Sequence, residues 1–283
     1  MTGESGKKRR VLGIIGSQRK LGNCELFVKE TARHVPGCDL SLVRLPALDI
    51  RPCKGCYRCL DQGICPTEDD VPFLKDLIAE ADALIIASPV YFLGAHGSVK
   101  MLLDRAFSFF SVIERTRNKP AILAVTYGLD NRIGTAPQTL LTLAAFLGLS
   151  VKASVSLKAA LPGEVLAKNH LRTAEKLGRG LFGPGKAARQ ARACPFCGND
   201  IVRVRKEDFI CTVCHGSFRI GEKRAVKGAP GWDVSDIGFV RDHREWLKGM
   251  KERFMAARKE IVRLTAPYKE MGRWVGPEGS AKE

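Results

Sequence analysis

The sequence lacks any long apolar run. Nothing in its 283 residues approaches the ~18 consecutive apolar residues that a transmembrane helix needs. Residues 1–10 are polar and basic, and the apolar segment after them is only as long as a strand, so no secretory leader is predicted. We therefore expect a cytoplasmic protein with no membrane partner. In that reducing compartment, ten cysteines indicate metal or redox chemistry more readily than disulfides.

Histidines and acidic residues are also scarce. The five histidines are dispersed along the chain and form no visible constellation, so the sequence predicts no acid–base catalytic residue. Thirty Asp and Glu stand against 46 Lys and Arg, which gives a formal net charge of +16. This excess of positive charge favours polyanionic partners. Charge alone does not distinguish nucleic acid, an acidic protein and a phosphorylated cofactor.

Cysteine is, by contrast, abundant and clustered. One cluster is a Cys-x2-Cys-x2-Cys-x5-Cys array that ends in Cys-Pro and consists of Cys53, Cys56, Cys59 and Cys65. Thiolates at two-residue gaps in a Gly-containing loop can converge on one inorganic centre, and the spacing is close to the bacterial ferredoxin run. The array therefore favours a single iron–sulfur cluster. A tetrahedral zinc ion and a set of packed free thiols remain alternatives.

A second cysteine cluster has a different spacing. Two Cys-x2-Cys pairs, each followed closely by a glycine, enclose a segment whose residues 201–205 alternate as a strand does: Cys194 and Cys197, then Cys211 and Cys214. Four thiolates in this arrangement are typical of a structural zinc site in a zinc ribbon. A rubredoxin-like iron site and an empty hairpin are the alternatives. His215 is interpreted as a bystander, because four sulfurs already complete the coordination.

The first two thirds of the chain alternate between short apolar segments and amphipathic ones. The pattern predicts strands at 10–15, 39–44, 83–88, 120–126 and 150–157, and helices at 25–34, 70–81, 96–113, 134–148 and 164–181. Strands that alternate with helices predict an α/β domain with a parallel sheet covered on both faces. Five such units, with a candidate phosphate loop after the first strand, indicate a flavodoxin-like doubly wound five-stranded sheet.

The loop after the first predicted strand has the layout of a phosphate site. A polar, Gly-bounded segment joins the strand to a helix, whose first N–H groups and dipole favour an anion. Ser17, Arg19 and Asn23 add side-chain donors. Tyr91 and Phe92 follow the third strand at the edge where open α/β sheets bind ligands. An ordinary βα turn, and aromatic rings that only pack on the core, are the alternatives.

Four motifs taken together resemble the NADPH-dependent FMN reductase superfamily. They are Gly16-Ser17-Gln18-Arg19 with Gly22-Asn23, the cysteine array with Glu68-Asp69-Asp70, Ser88-Pro89-Val90-Tyr91-Phe92, and Lys100-x3-Asp104-Arg105. With all four array cysteines present, residues 9–183 are most similar to the iron–sulfur flavoprotein branch. The resemblance implies a flavodoxin-like fold that binds FMN, a [4Fe–4S] cluster on the four cysteines, and dimers or tetramers that bring the cluster of one subunit near the flavin of another.

The resemblance also implies roles for individual positions. The residues that would hold the FMN phosphate are Ser17, Arg19, Gly22, Asn23 and Cys24. The residues that would line the isoalloxazine ring are Pro89, Val90, Tyr91 and Phe92, with Tyr127 and Gly128 on its other side. Cys24 departs from the family, which usually has Thr or Ser there, and the departure removes a hydroxyl donor.

The predicted domains are 9–183, a zinc ribbon at 190–221, and an extension at 222–283. A basic, Gly-rich segment at 219–232, which overlaps the end of the ribbon, is predicted as a loop, and the extension continues as a helix over 236–264. One face of that helix is apolar and the other is rich in Lys and Arg. The pattern favours a helix docked on the flavin domain or a subunit partner, and an arm that binds nucleic acid or recruits a partner is the alternative.

These features predict an iron–sulfur flavoprotein oxidoreductase. It would pass electrons between a ferredoxin-like carrier or NAD(P)H and an acceptor, through FMN and a [4Fe–4S] cluster. Lys54 and Arg58, inside the array, are expected to stabilise the reduced cluster. The alternatives are a cluster-free NAD(P)H-dependent FMN or quinone reductase, and a zinc-ribbon protein associated with nucleic acid.

Overall fold

A parallel sheet organises the first two thirds of the chain in the computed structural model, which describes residues 8–130, 132–184, 194–206, 208–220, 226–229 and 237–265. The strands of this sheet are β1 (Arg9–Ile15), β2 (Cys38–Arg44), β3 (Ala83–Tyr91), β5 (Pro120–Tyr127) and β6 (Ser150–Lys158). They lie in the order β2-β1-β3-β5-β6 with parallel pairing throughout. A short strand, β4 (Gly94–Ala95), pairs antiparallel with the end of β3. The predicted flavodoxin-like sheet is confirmed.

The central position of β3 explains its continuous apolar sequence. Its residues from Ala83 to Ala87 are fully buried, because helices cover both faces of the sheet. One face packs on α1 (Asn23–Arg33) and α7 (Lys168–Gly180), and the other on α3 (Val71–Glu80), α4 (Gly97–Asp104) and α6 (Ala136–Phe146). Successive strand residues alternate between these two apolar layers, as the two-residue period of a strand requires.

Two predicted helices differ in the structure. The single helix predicted over 96–113 is divided into α4, a 3₁₀ segment at Ala106–Val112 and the short α5 (Ile113–Thr116). The break lies at Arg105, where the backbone leaves helical geometry with φ −95° and ψ 7°. The carbonyl oxygen of Arg105 instead accepts a 2.7 Å hydrogen bond from the Ser108 hydroxyl. The helix predicted over 164–181 begins as a separate 3₁₀ turn, Glu164–Leu166, before α7.

A second, antiparallel sheet follows. Its strands are β7 (Val202–Arg205), β8 (Asp208–Cys211), β9 (Ser217–Ile220) and β10 (Val226–Ala229), in the order β10-β9-β8-β7. The strand predicted at 201–205 is confirmed as β7. The loop predicted over 219–232 is wrong in part, because β9 and β10 pair with each other across it. The core of this sheet is small and consists of three cysteines packed with Phe218 and partly buried apolar neighbours.

The last described element is one long helix, α8 (Ile237–Thr265), close to the predicted 236–264. The chain forms two compact units, Met1–Phe239, which holds both sheets, and Val240–Glu283. Among the described residues, no helix combines the length and the apolar character required to cross a bilayer.

Candidate cofactor and metal sites

A cavity of about 200 Å³ opens at the edge where the carboxyl ends of the parallel strands meet. The sequence-predicted residues that line it are Ser17, Arg19, Asn23, Cys24, Pro89, Val90, Tyr91, Tyr127 and Gly128. Three separate segments of the chain therefore converge on one site, and the residues after β6 add a fourth. The structure adds Thr126, Ala159 and Ala160 to the wall. The last two follow β6, so the same rule about strand ends that indicated Tyr91 could have indicated them.

Two of the predicted residues lie outside the cavity wall. Gly22 is the residue before α1, and a Cβ atom there would lie 2.9 Å from the Cβ of Arg19, so the glycine permits a tight loop. Phe92 projects into solvent and is fully exposed, so in this conformation its ring does not line the cavity. It lies at the tip of the hairpin between β3 and β4, where Phe92 and Leu93 both have positive φ, 48° and 64°.

Arg44 is hydrogen-bonded to the loop after β1, the phosphate-type loop, which was predicted to bind a phosphate. Its guanidinium donates to the carbonyl oxygens of Ser17 and Arg19 at 2.6 and 2.9 Å, and to Glu25 at 2.6 Å. Glu25 also accepts hydrogen bonds from the Leu21 N–H and from Lys29. Because both loop carbonyls are bonded to a cation, their negative charge is neutralised beside a site suited to an anion. Sequence reasoning did not identify Arg44, which lies at the end of β2.

Asn23, predicted by resemblance to hold the phosphate, lines the cavity and also makes hydrogen bonds within the protein. Its side-chain Nδ2 donates to the carbonyl oxygens of Ala159 and Leu161, both at 2.9 Å. Its Oδ1 accepts from the N–H groups of Gly163 and Val165 at 3.0 and 3.4 Å. Both ends of the buried amide are thus bonded within the protein. The Asn23 side chain joins the start of α1 to the segment after β6 and so fixes the wall that contains Ala159.

A thiol and a hydroxyl meet where the cavity reaches the core. The Sγ atom of Cys24 lies 3.3 Å from the Oγ1 atom of Thr126, and both residues are buried. Burial raises the pKa of Cys24 to about 11, although the Thr126 hydroxyl opposes the change. Cys24 is therefore a neutral thiol at neutral pH. Thr126, at the end of β5, adds a hydroxyl-bearing residue to the cavity wall beside Cys24.

The cysteine array occupies the connection between β2 and α3. It contains a short helix, α2 (Arg58–Gln62), and three residues with left-handed backbone that turn the chain sharply: Gly55, Tyr57 and Gly63. Cys53 and Cys56 are exposed, and Cys59 and Cys65 are half-buried. Burial, followed by the negative charges of the other three array thiols, raises the pKa of Cys59 to about 11.

The four array sulfurs do not form a group compact enough to hold a single metal ion. Within the described part of the chain, only the second cysteine set has three or more ligand atoms within 4.8 Å of one another. A single zinc ion needs that compactness, whereas a cluster of several iron atoms spreads its thiolates over a wider volume. The array is therefore not preformed for a single metal ion, and its four thiols are compatible with a cluster.

The second set has the geometry of a mononuclear tetrathiolate site. Its sulfur–sulfur distances include 3.7 Å for Cys194–Cys214 and 3.5 Å for Cys197–Cys211. Zn–S bonds of ~2.3 Å in a tetrahedron place sulfurs about 3.8 Å apart. The Val213 N–H and the Asn199 side-chain amide donate to the Cys211 sulfur, each at 3.4 Å. Three of the four cysteines are buried, so the site is enclosed.

Comparison with known proteins agrees with this geometry. The family model described as NADPH-dependent FMN reductase matches residues 9–160. An iron–sulfur flavoprotein of Methanocaldococcus jannaschii is 39% identical over 99 residues, which are 34% of this chain and 51% of that protein. An iron–sulfur flavoprotein of Methanosarcina thermophila is 32% identical over 130 residues, which are 45% of this chain and 61% of that protein. The chain thus spans about half the length of the curated relatives it matches.

A solved structure extends the likeness in fold to nearly the whole chain. A flavone reductase superposes with a TM-score of 0.71 at 17% identity, over 94% of this chain and 99% of that one. At this identity the match establishes a shared fold and does not transfer an activity. The family model itself covers more than half of the residues. On this ground, the protein belongs to the NADPH-dependent FMN reductase family.

Proposed function

We propose that the protein is an FMN-dependent oxidoreductase that also carries a [4Fe–4S] cluster. The observation that carries the proposal is the convergence of four chain segments on the cavity at the carboxyl edge of the parallel sheet. The flavin would supply two-electron chemistry with a hydride donor and one-electron chemistry with a carrier. NAD(P)H or a ferredoxin-like protein is the proposed donor, in the cytoplasm.

The residues present fit FMN. Arg19 and the start of α1 offer positive charge and N–H groups to a phosphate. Tyr91 and Tyr127 supply aromatic surface, and the Pro89–Val90 segment supplies backbone groups. The Tyr91 ring also contacts the ring of His96 at a centroid distance of 5.4 Å, which limits its rotation. The chain's contribution is thus to bind the phosphate end and to orient the flavin ring at the mouth of the cavity.

For the array we propose an iron–sulfur cluster on Cys53, Cys56, Cys59 and Cys65. The ferredoxin-like spacing of the four cysteines and the likeness to two iron–sulfur flavoproteins support this assignment. The exposure of Cys53 and Cys56 would bring the cluster to the protein surface, where a second subunit or a carrier can approach. We accordingly propose a dimer or tetramer in which cluster and flavin of different subunits are neighbours. The positive net charge suits an acidic carrier protein.

For Cys194, Cys197, Cys211 and Cys214 we propose a structural zinc ion. All four coordination positions would be filled by protein, so the metal would stabilise the small second sheet and would not act on a substrate.

Anaerobic purification followed by flavin, iron, sulfide and zinc analysis tests these assignments together. We expect FMN, iron with sulfide, and zinc in the wild type. Cys59→Ser should lose iron and sulfide but keep zinc, and Cys197→Ser should do the reverse. Cys38→Ser, a half-buried cysteine outside both sets, is the matched control and should lose neither metal. Flavin without iron in the wild type would replace the proposal by a cluster-free reductase.

A further inference from the structure

The two ends of the cysteine loop are bonded to each other at its base. The N–H of Asp49 donates to the Asp70 carboxylate at 2.7 Å, and the N–H of Asp70 donates back to the Asp49 carbonyl at 2.9 Å. The N–H of Arg51 donates to the Asp69 carboxylate at 3.0 Å. The chain therefore enters and leaves the array at one closed point, two residues before Cys53 and four residues after Cys65.

The guanidinium of Arg105, a residue outside the loop, also bonds to both ends of the loop. Arg105 lies at the end of α4, and its side chain is 1% exposed. Its Nη1 donates to the Arg51 carbonyl at 2.8 Å and to the Asp69 carboxylate, whose side chain is 0% exposed. Its Nη2 donates to the Sγ atom of Cys65 at 3.2 Å. One planar group thus contacts the entry of the loop, its exit and one of its sulfurs.

The burial of Arg105 needs a compensating interaction. A buried guanidinium is costly unless it is paired and fully hydrogen-bonded, and Asp69 supplies the paired charge. Asp69 is itself oriented by the Val71 N–H at 3.1 Å, at the start of α3. Only a fork of several donors reaches a carbonyl, a carboxylate and a sulfur at once, which a lysine cannot do. Lys54 and Arg58, by contrast, are exposed, so solvent and salt screen their charges.

We propose that Arg105, held by Asp69, is the positioning residue of the cluster site: it closes the cysteine loop and donates a hydrogen bond to the Cys65 sulfur that ligates the cluster. The proposal rests on the cluster assigned to the array under Proposed function. A hydrogen bond to a ligand sulfur withdraws negative charge from the cluster, so it favours the reduced form and raises the reduction potential. Closure of the loop holds the cysteines in place and so slows loss of iron.

The test compares Arg105→Gln and Arg105→Lys with wild type as anaerobically reconstituted full-length protein. Arg115→Gln is the control, since it removes an exposed arginine of α5 outside the loop. Two quantities are measured. The first is the midpoint potential of the cluster, determined by a redox titration monitored by electron paramagnetic resonance, and the second is the rate of iron release to a chelator. Arg105→Gln should have a more negative potential and release iron about tenfold faster, as is usual when a partner of a metal ligand is removed.

Arg105→Lys keeps the charge and guards against a folding failure of the Gln variant. It should also release iron faster, because one ammonium cannot bridge the entry and the exit of the loop. Arg115→Gln should match wild type in both measurements. If wild type holds a cluster and both Arg105 variants keep its potential and its release rate, the positioning role is overturned while the proposed function stands. Wild type without iron would overturn both.

Discussion

At the scale of single residues, Glu25 is the carboxylate most tightly held beside the cofactor cavity. It accepts hydrogen bonds from Lys29 and Arg44, both at 2.6 Å, and from the Leu21 N–H at 2.9 Å. Burial alone would raise its pKa, but these bonds outweigh burial and lower the pKa of Glu25 from 4.5 to about 2. Its negative charge is therefore part of the folded structure of the phosphate-type loop.

This shift predicts an acid dependence of stability. A carboxyl whose pKa is lowered on folding stabilises the protein above its unfolded pKa of 4.5, and that contribution is lost as the pH falls toward 2. Between pH 5 and pH 3 the free energy of unfolding of wild type should fall by about 2 kcal/mol more than that of Glu25→Gln. Urea titrations at the two pH values measure the difference.

A charge-matched control for Glu25 is available on α3. Glu80→Gln removes an exposed carboxylate from α3 and leaves the partners of Glu25 in place, so it should keep the wild-type acid dependence. If wild type and Glu25→Gln lose the same free energy of unfolding between pH 5 and pH 3, folding does not lower the pKa of Glu25, and the prediction is wrong. FMN affinity should also fall in Glu25→Gln, because Arg44 loses the partner that fixes it behind the loop.

At the scale of elements, α1 and α7 pack through a glycine. A Cβ atom at Gly178 would lie 2.2 Å from the Thr31 carbonyl oxygen and 2.8 Å from the His34 Cβ, so backbone meets backbone there. Gly180, in the same helix, has no atom within 4 Å of its ideal Cβ position. The close approach brings the two helices together on one face of the parallel sheet, at the C-terminal end of α1.

The pair of glycines gives a prediction with its own control. Gly178→Ala should lower the free energy of unfolding by about 2 kcal/mol, because the helices must separate to admit the methyl group. Gly180→Ala should be neutral or slightly stabilising, since alanine favours a helix more than glycine does. Urea unfolding of the two variants side by side measures both. Equal effects would mean that α7 can shift without cost.

The hairpin between β3 and β4 is an element that the sequence pattern did not predict. A two-residue turn with positive φ at both positions usually has the sequence Asn-Gly. Here the two residues are Phe92 and Leu93, so the sequence does not predict the turn. The turn is held from outside, because the Leu93 carbonyl accepts a 2.7 Å hydrogen bond from the Thr135 N–H before α6. A contact between residues so far apart in sequence cannot be derived from local propensity, so the full exposure of Phe92 at the tip of this hairpin was not predicted.

At the scale of the whole molecule, the sequence predicts those features of the fold that depend on local periodicity. The five parallel strands, their order and the cavity at their carboxyl edge follow from alternating apolar segments and a loop after the first strand. The break of the predicted helix at 105 does not, because no Gly or Pro marks it. Arg105 bonds to Cys65, which is 40 positions away, and Asn23 to carbonyls more than 130 positions away. Such partners are known only once the chain is folded.

The two sheets also differ in what stabilises them, and this difference predicts a selective response to metal removal. The parallel sheet has two large apolar layers, whereas the buried core of the second sheet is three cysteines and Phe218. A chelator that removes the proposed zinc ion from Cys194, Cys197, Cys211 and Cys214 should therefore unfold β7 and β8 without unfolding β3. Hydrogen exchange should accelerate at amides 202–205 and 208–211 and stay slow at 84–87.

FMN retention is the second readout of the same experiment, since the cavity draws on none of the residues of the second sheet. Cys197→Ser should reproduce the effect of the chelator, and Cys38→Ser should not. One contact limits this independence: the side chain of Gln138, on a helix that covers the parallel sheet, donates to the carboxylate of Asp200, just before β7. The opposite outcome is that amides 84–87 lose their protection against hydrogen exchange together with amides 202–205 and 208–211. In that case this contact and its neighbours couple the two sheets into one cooperative unit. The proposed zinc ion would then stabilise the whole of Met1–Phe239.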